Sequence, residues 1–256
     1  MKRRGLFAHQ FRSDLARFWR NPQSRYFTLL MPIVFLVIFA TIFKGSTIVD
    51  GRSIGITTFY VPGIMALGVI SATFVNLAQT IVEQRENGEF KRLRGTPLPA
   101  SIVIGSRAAV GVVVAVALSA LLLLMGKLLY DVRVPGSTMV GLVLSVILGA
   151  ASFSCIAFAV STRISNAEAA APAINITVLP LYFISGVFVP EHQIPTVLRD
   201  IATVFPIRHL AQALRGTITQ THGTGIAVTD LLVILAWGAA ALLVAARTFQ
   251  WSPRGD

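Results

Sequence analysis

Residues 53–82 run for thirty positions without one Asp, Glu, Lys or Arg. A water-soluble fold has little use for such a run, whereas a bilayer requires one: a spanning helix needs about 20 mostly apolar residues. At about 1.5 Å per residue the run would reach roughly 45 Å as a single helix, longer than the hydrocarbon core. Part of it is therefore expected to sit in an interface, with a bend near Pro62 and Gly63. Five other runs, 26–43, 108–126, 138–162, 169–189 and 226–246, are also of span length. Pro172 and Pro180 interrupt 169–189, which is tolerable where neighbouring helices re-satisfy the backbone. The sequence thus predicts an all-α polytopic membrane protein, six transmembrane helices in a single domain over 1–256. Charged residues make up only 13% of the chain, against roughly 25% in a soluble domain.

The remaining charge lies beside the apolar runs. The formal net charge is +11, a balance that can signal nucleic acid. Cations wedged between apolar runs fit anionic lipid headgroups better, where each Lys or Arg contributes about 1 kcal/mol. Membrane lipid is the expected partner and nucleic acid is not. Six spans put both termini on one side, and the segments on that side hold fifteen Lys and Arg against seven on the other. The positive-inside rule then places both termini in the cytoplasm. Eighteen arginines against four lysines hint at a GC-rich genome, and the expected location is a bacterial inner (cytoplasmic) membrane. The opening segment reads as uncleaved, because its apolar run has span length and FATIFKGS is a poor cleavage site. The lone Cys155 cannot form an internal disulfide and says little about redox compartment.

Three segments are neither spans nor simple loops. In 5–20, Phe7, Phe11, Leu15, Phe18 and Trp19 recur at helical spacing, while Arg12, Asp14, Arg17 and Arg20 take the other face. That is a basic amphipathic helix suited to lie in the membrane plane. Between the fifth and sixth runs, 190–216 holds two short amphipathic patterns, one on Val197, Leu198, Ile201 and Val204, the other on Ile207, Leu210, Ala211 and Leu214. Two helices dipping into the outer leaflet are expected there. The third segment, 83–99, follows the second run and packs seven charges into the twelve residues 83–94. Asn87 and Gly88 break the preceding helix, and Thr96 and Pro97 close the next element. Phe90 and Leu93 then form a small apolar knob in a charged rim. A docking surface has this anatomy, and a solvated hairpin fits the same pattern equally well.

Two blocks, in order around six spans, are similar to the ABC-2 type exporter permeases, the membrane subunits of ATP-driven exporters. The first runs through Glu83, Arg85, Glu86 and Gly88 to Arg92, Leu93, Thr96 and Pro97. The second is SGVFVPEHQIPTVLRDIATVFPIRHLAQALRG, 185–216, with Gly186, Pro190, Pro195, Pro206 and Arg215 in the family's order. The resemblance implies that 83–99 carries a coupling helix, with Phe90 among its residues, that docks on a separate ABC ATPase. It also implies that 190–216 forms re-entrant helices at an outer gate. Two permease subunits would pair above two ATPases, and ATP and Mg would bind in the ATPase. In line with this, the chain lacks a G-x-x-x-x-G-K-[ST] phosphate loop. No catalytic set, metal site or cofactor of its own is expected.

Two other classes fit less well. An intramembrane protease needs a Ser and a His facing each other at membrane depth, and all four histidines lie outside the runs. An ion-coupled secondary transporter keeps ionisable groups within the membrane, and here only Asp230, one turn inside the last run, qualifies among the acids. It reads as an interfacial residue or the partner of an outer-loop Arg. Thr73, Asn76 and Thr80 share a face of the second run, and Asn175 and Thr177 lie in the fifth. They could line a substrate path or act as interhelical glue. Gly141, Ser145 and Gly149, and likewise Gly111, Ala115 and Ser119, form small-residue stripes for close helix packing. The function expected is alternating-access export of a lipophilic or amphiphilic small molecule such as a drug or natural product, with a lipid-linked glycan as the alternative cargo.

Overall fold

The computed structural model describes residues 3–49, 51–95, 98–220 and 222–248. Helix α1 (Arg3–Arg20) is the amphipathic segment, and it lies against α7 rather than standing free. Asn21 stops it. Short α2 (Pro22–Arg25) leads through a π turn at Tyr26–Leu30 into α3 (Met31–Ile42). An antiparallel hairpin follows, β1 (Ser46–Val49) with β2 (Arg52–Gly55), in the register Ser46 opposite Gly55. Thr47, Ile48, Val49 and Ile54 are β-branched and favour extended backbone. An all-helical expectation overlooked this local preference.

The centre of the molecule is one continuous helix, Ile56–Glu86. It consists of α4 (Ile56–Ile70), a π turn at Ser71–Val75 and α5 (Asn76–Glu86). Its most apolar window is 83% buried, which explains why the sequence is hydrophobic all round rather than on one stripe. The backbone stays helical through Pro62 and Gly63, where a bend was expected. The irregular turn lies instead around Thr73, whose hydroxyl donates to its own helix at the Val69 carbonyl, 2.6 Å away. Such side-chain bonding competes with the helical ladder. The thirty-residue run is accommodated by giving its first residues to β2.

After α6 (Glu89–Arg94) come α7 (Ala100–Tyr130), α8 (Met139–Ser161) and α9 (Ala167–Ile184). A 3-10 turn at Glu191–Gln193, then α10 (Thr196–Ala202), α11 (Pro206–Thr219) and α12 (Val228–Thr248), follow among the described residues. Asn166 caps α9, its side-chain oxygen accepting from the Ala169 N–H at 2.8 Å. Among the described residues five helices are long and apolar enough to cross a membrane, and Tyr26–Ile42 is a shorter apolar one. Two boundaries and one burial pattern differ from expectation. Helix α7 starts well before 108 and so takes in Arg107, which had counted as loop. Helix α9 stops at Ile184, because Ser185 and Gly186 turn the chain. Helix α11 buries Ile207, Leu210, Ala211 and Leu214 in the core, so of the two it is α10 and the turn after it that present apolar side chains outward, with Val197 68% and Val204 59% exposed.

The small-residue stripes mark close approaches. A Cβ on Gly149 of α8 would come within 2.7 Å of Leu210 Cδ1 on α11, and one on Gly63 within 2.5 Å of the Val187 carbonyl oxygen. Gly111 faces Thr73, and Ala115 and Ser119 of the same stripe are buried.

Candidate coupling site and outer cluster

The charged run at the end of α5 clamps three helix ends together. Asn87 closes α5, its N–H donating to the Glu83 carbonyl at 2.9 Å. Gly88 then takes the left-handed conformation, φ 68°, which is open to glycine at no steric cost and redirects the chain into α6. Glu83 itself is exposed. Arg85 is only 4% exposed. Its Nη1 donates to the Ser161 carbonyl at 3.0 Å and its Nη2 to the Ile164 carbonyl, which places a cation on the carbonyl end of α8. Glu86 accepts from the Ala167 N–H at 2.5 Å, which places a carboxylate at the positive end of α9.

Helix α6 is mounted directly beyond this clamp. Phe90, expected as an outward knob, points inward and is 1% exposed. The Arg107 guanidinium lies over its ring at 4.7 Å, a cation–π contact. Leu93 is half-buried against the core. A helix this short cannot hold itself together in isolation, so its apolar pair is spent on tethering it to the body of the chain. The face left exposed carries Glu86, Asn87, Lys91 and Arg92. Glu89 pairs with Arg17 of α1 at 2.5 Å, both half-exposed. Thr96 and Pro97 lie outside the described residues. Helix α1 is pinned as well: Asp14, expected on its polar face, is 8% exposed. It accepts from Ser106 Oγ on α7 at 2.6 Å and from Gln10 Nε2 at 3.0 Å.

At the opposite end, the residues expected at an outer gate come together. Gly186 turns at φ 74°. Arg215 of α11, 4% exposed, donates through Nη2 to the Gly186 carbonyl at 2.5 Å and lies over the Phe59 ring at 4.3 Å. Pro190, Pro195 and Pro206 each stand where an element begins, before the 3-10 turn, before α10 and at the first position of α11. Their fixed φ suits those starts.

The sequence reading missed the group at the centre of this cluster. Glu191 accepts from Arg208 Nη2 at 3.0 Å and from Gln212 Nε2 at 2.8 Å. Burial alone would raise its carboxyl pKa. The hydrogen bond and charge of Arg208, helped by Gln212 and Arg215, outweigh that and hold it below the ordinary value. Beside it, His209 Nδ1 lies 2.7 Å from Asp230 Oδ1, and its Nε2 lies 2.8 Å from the Thr203 carbonyl oxygen. Asp230 is therefore the partner of a histidine, not of an outer-loop Arg. The signal was present in the spacing of Arg208, Gln212 and Arg215, which places them on one helical face. The periodicity had been followed on the apolar face alone.

The polar span residues separate into two sets. Asn76 Nδ2 donates to Thr28 Oγ1 at 2.9 Å, and Thr80 Oγ1 donates to Asn76 Oδ1 at 3.3 Å. The Asn76–Thr28 bond ties α5 to the first apolar helix, while the bonds of Thr80 and Thr73 stay within the central helix. Asn175 and Thr177 lie on the exposed face of α9, where Thr177 bonds only its own helix, to Ala173.

The family profile for "ABC-2 type transporter" matches residues 6–219. The chain is 29% identical over 219 residues to the daunorubicin resistance ABC transporter permease protein DrrB1 of Streptomyces coeruleorubidus, covering 84% of this chain and 75% of that one. It is 24% identical over 191 residues to the inner membrane transport permease YhhJ of Escherichia coli, covering 73% of this chain and 51% of the relative. It is 21% identical over 225 residues to the transport permease YvfS of Bacillus subtilis, covering 88% of this chain and 89% of the other.

Proposed function

The chain belongs to the ABC-2 type transporter family, and from that premise we propose that it is the membrane-spanning permease subunit of an ATP-driven exporter. Its energy comes from an ABC ATPase bound beneath it. Its cargo is a lipophilic or amphiphilic small molecule, a drug or natural product, moved out of the cytoplasm by alternating access. It sits in a bacterial inner membrane with six crossings, Tyr26–Ile42 supplying the short one, and with both termini in the cytoplasm.

The observation that carries this reading is the clamp at the end of α5. Arg85 and Glu86 join the central helix to the end of α8 and the start of α9, and α6 follows two residues later. A push on α6 therefore bears at once on three helices that reach the other side. Arg92 and Lys91 supply its exposed charged face for the ATPase, while Phe90 and Leu93 hold it in place. The outer cluster of Gly186, Glu191, Arg208 and Arg215 closes the far end between α9 and α11.

A second permease copy is the partner for α9. Its most apolar window is only 22% buried, and its open face shows Asn175, Thr177 and Ile176, the last 77% exposed. Polar groups facing lipid are costly and usually turn toward protein or a water-filled path. A paired copy would enclose Asn175 and Thr177 at such a path. The cargo class draws support from the relative named for daunorubicin resistance and from the absence of acidic residues in the middle of the described spans.

The test is reconstitution in inside-out vesicles with the partner ATPase and a lipophilic dye or anthracycline. ATP-dependent uptake that requires both chains is expected. Nucleotide hydrolysis by this chain alone, or cargo movement on an ion gradient without the ATPase, would overturn the reading.

A further inference from the structure

A cleft of about 560 Å³ opens between α1, α5 and α7. Two buried polar side chains line it with atoms left unsatisfied. Arg107 of α7 is 6% exposed, and neither its Nε nor its Nη1 has a hydrogen-bond partner among the described residues. Gln84 of α5 is 4% exposed, and its Oε1 has none either. Buried groups of this kind are nearly always paired in folded proteins, and a buried cation needs an acceptor. Asp14 and Glu89 lie within Coulombic reach of Arg107, but their hydrogen bonds go elsewhere, those of Asp14 to Ser106 and Gln10 and that of Glu89 to Arg17. Glu83 stands exposed at the rim. The two orphaned sets call for a ligand that brings acceptor oxygens to Arg107 and a donor to Gln84.

The shape of the cleft narrows the class. Arg17, Arg20 and Arg107 line its polar part together with Asp14, Glu83 and Glu89, while Val110 and Val114, one and two turns further along α7, and Ala72, in the π turn before α5, make its other end apolar. Trp19, Tyr26 and Phe27, close in sequence to the lining residues Arg20 and Asn21, are 52%, 57% and 64% exposed. Aromatic residues of this kind settle at the headgroup level of a bilayer. We propose that this cleft binds the glycerophosphate headgroup of an anionic phospholipid. The phosphate oxygens accept from Arg107 Nε and Nη1, a headgroup hydroxyl donates to Gln84 Oε1, and the first acyl segment lies along Val110 and Val114. Because Arg107 also lies over Phe90, an occupied cleft braces α6 from behind. On the topology proposed above the lipid belongs to the cytoplasmic leaflet, and only that placement rests on the proposed function; the headgroup chemistry does not.

The permease–ATPase complex, purified in mild detergent from membranes containing phosphatidylglycerol and phosphatidylethanolamine, is analysed for retained lipid by mass spectrometry. Arg107→Gln removes the charge. Ala16→Trp fills the cleft from an exposed position on α1 and leaves every charge in place, so it keeps the test open if the first variant folds poorly. The wild type retains phosphatidylglycerol in preference to phosphatidylethanolamine, and both variants lower that retention roughly ten-fold, Arg107→Gln by loss of a charge-assisted bond and Ala16→Trp by occupying the space the headgroup needs. Retention unchanged in both variants overturns the proposal, and so does equal retention of the two lipids. Thermal protection by inorganic phosphate alone, equal to that by phosphatidylglycerol, would also overturn it, by making the occupant a soluble anion. The readout is bound lipid and not transport, so failure here leaves the exporter reading standing.

Discussion

The guanidinium of Arg85 reaches from α5 to the carbonyl oxygens of Ser161, at 3.0 Å, and Ile164, where α8 ends. One residue later Glu86 takes the first turn of α9. Two neighbouring charges of opposite sign thus meet two helix ends of opposite polarity, each matched to its dipole. The arrangement makes one knot out of three helix ends, directly beside α6.

Removing the cation should loosen that knot. Arg85→Ala leaves two carbonyls without their donors at a buried site, a loss of about 1.5–3 kcal/mol for a charged hydrogen bond. Thermal unfolding in detergent should show lowered stability, and ATP-driven transport should fall further than ATP hydrolysis by the complex. Arg85→Lys, which keeps the charge but not the two-pronged geometry, should recover only part of both. Unchanged unfolding in Arg85→Ala would remove the clamp.

Phe90 and Arg92 should separate anchoring from docking. Phe90 is buried, so Phe90→Ala should cost about 3–5 kcal/mol as a large-to-small core change and show first in the unfolding temperature. Arg92 is exposed, so Arg92→Glu should leave the unfolding temperature nearly unchanged and weaken co-purification with the ATPase. The reverse pattern, with Phe90→Ala acting on association alone, would restore Phe90 as the contact surface.

These two residues also show what sequence can and cannot supply. Helix existence followed from runs that only a bilayer tolerates, and the break at Asn87 and Gly88 from local backbone preference; both are local properties. The side of α6 that Phe90 takes was illegible, because a short helix with one apolar pair can turn that pair to a partner or to its own core. The choice depends on Arg107, seventeen positions away, and on where α7 begins. Asp230 is a similar case. Its partner His209 sits on an outer helix whose depth in the core was hidden, since an amphipathic pattern is the same against lipid as against α4 and α8. The coupling run of 83–94 was found for its charge, yet what Arg85 and Glu86 grasp are backbone atoms, which carry no sequence signature.

Gly63 should accept no side chain. A Cβ there would lie 2.5 Å from the Val187 carbonyl oxygen, backbone that a rotamer change cannot move. Gly63→Ala should cost about 1–3 kcal/mol by overpacking and should push α4 away from the turn after α9. Lowered thermal stability with faster proteolysis near 185–195 is the expected outcome. A neutral effect would mean that the two segments separate readily.

Glu191 should make the outer cluster sensitive to acid. Arg208, Gln212 and Arg215 hold its carboxyl below the ordinary value of 4.5 despite burial. A carboxylate whose folded pKa is depressed stabilises the fold fully above its unfolded pKa, and that contribution is lost as pH falls through the lower, folded value. The wild-type unfolding temperature should therefore hold down to about pH 4.5, the unfolded value, and drop below it. Glu191→Gln keeps an acceptor for Arg208 but no charge. It should be less stable at neutral pH and show a flatter profile in the acid range. Both profiles falling together would show that other groups carry the acid response. A wild type insensitive to acid, alongside a Glu191→Gln as stable as wild type at neutral pH, would mean that the contacts of Glu191 with Arg208 and Gln212 do not hold α11 to the turn after α9.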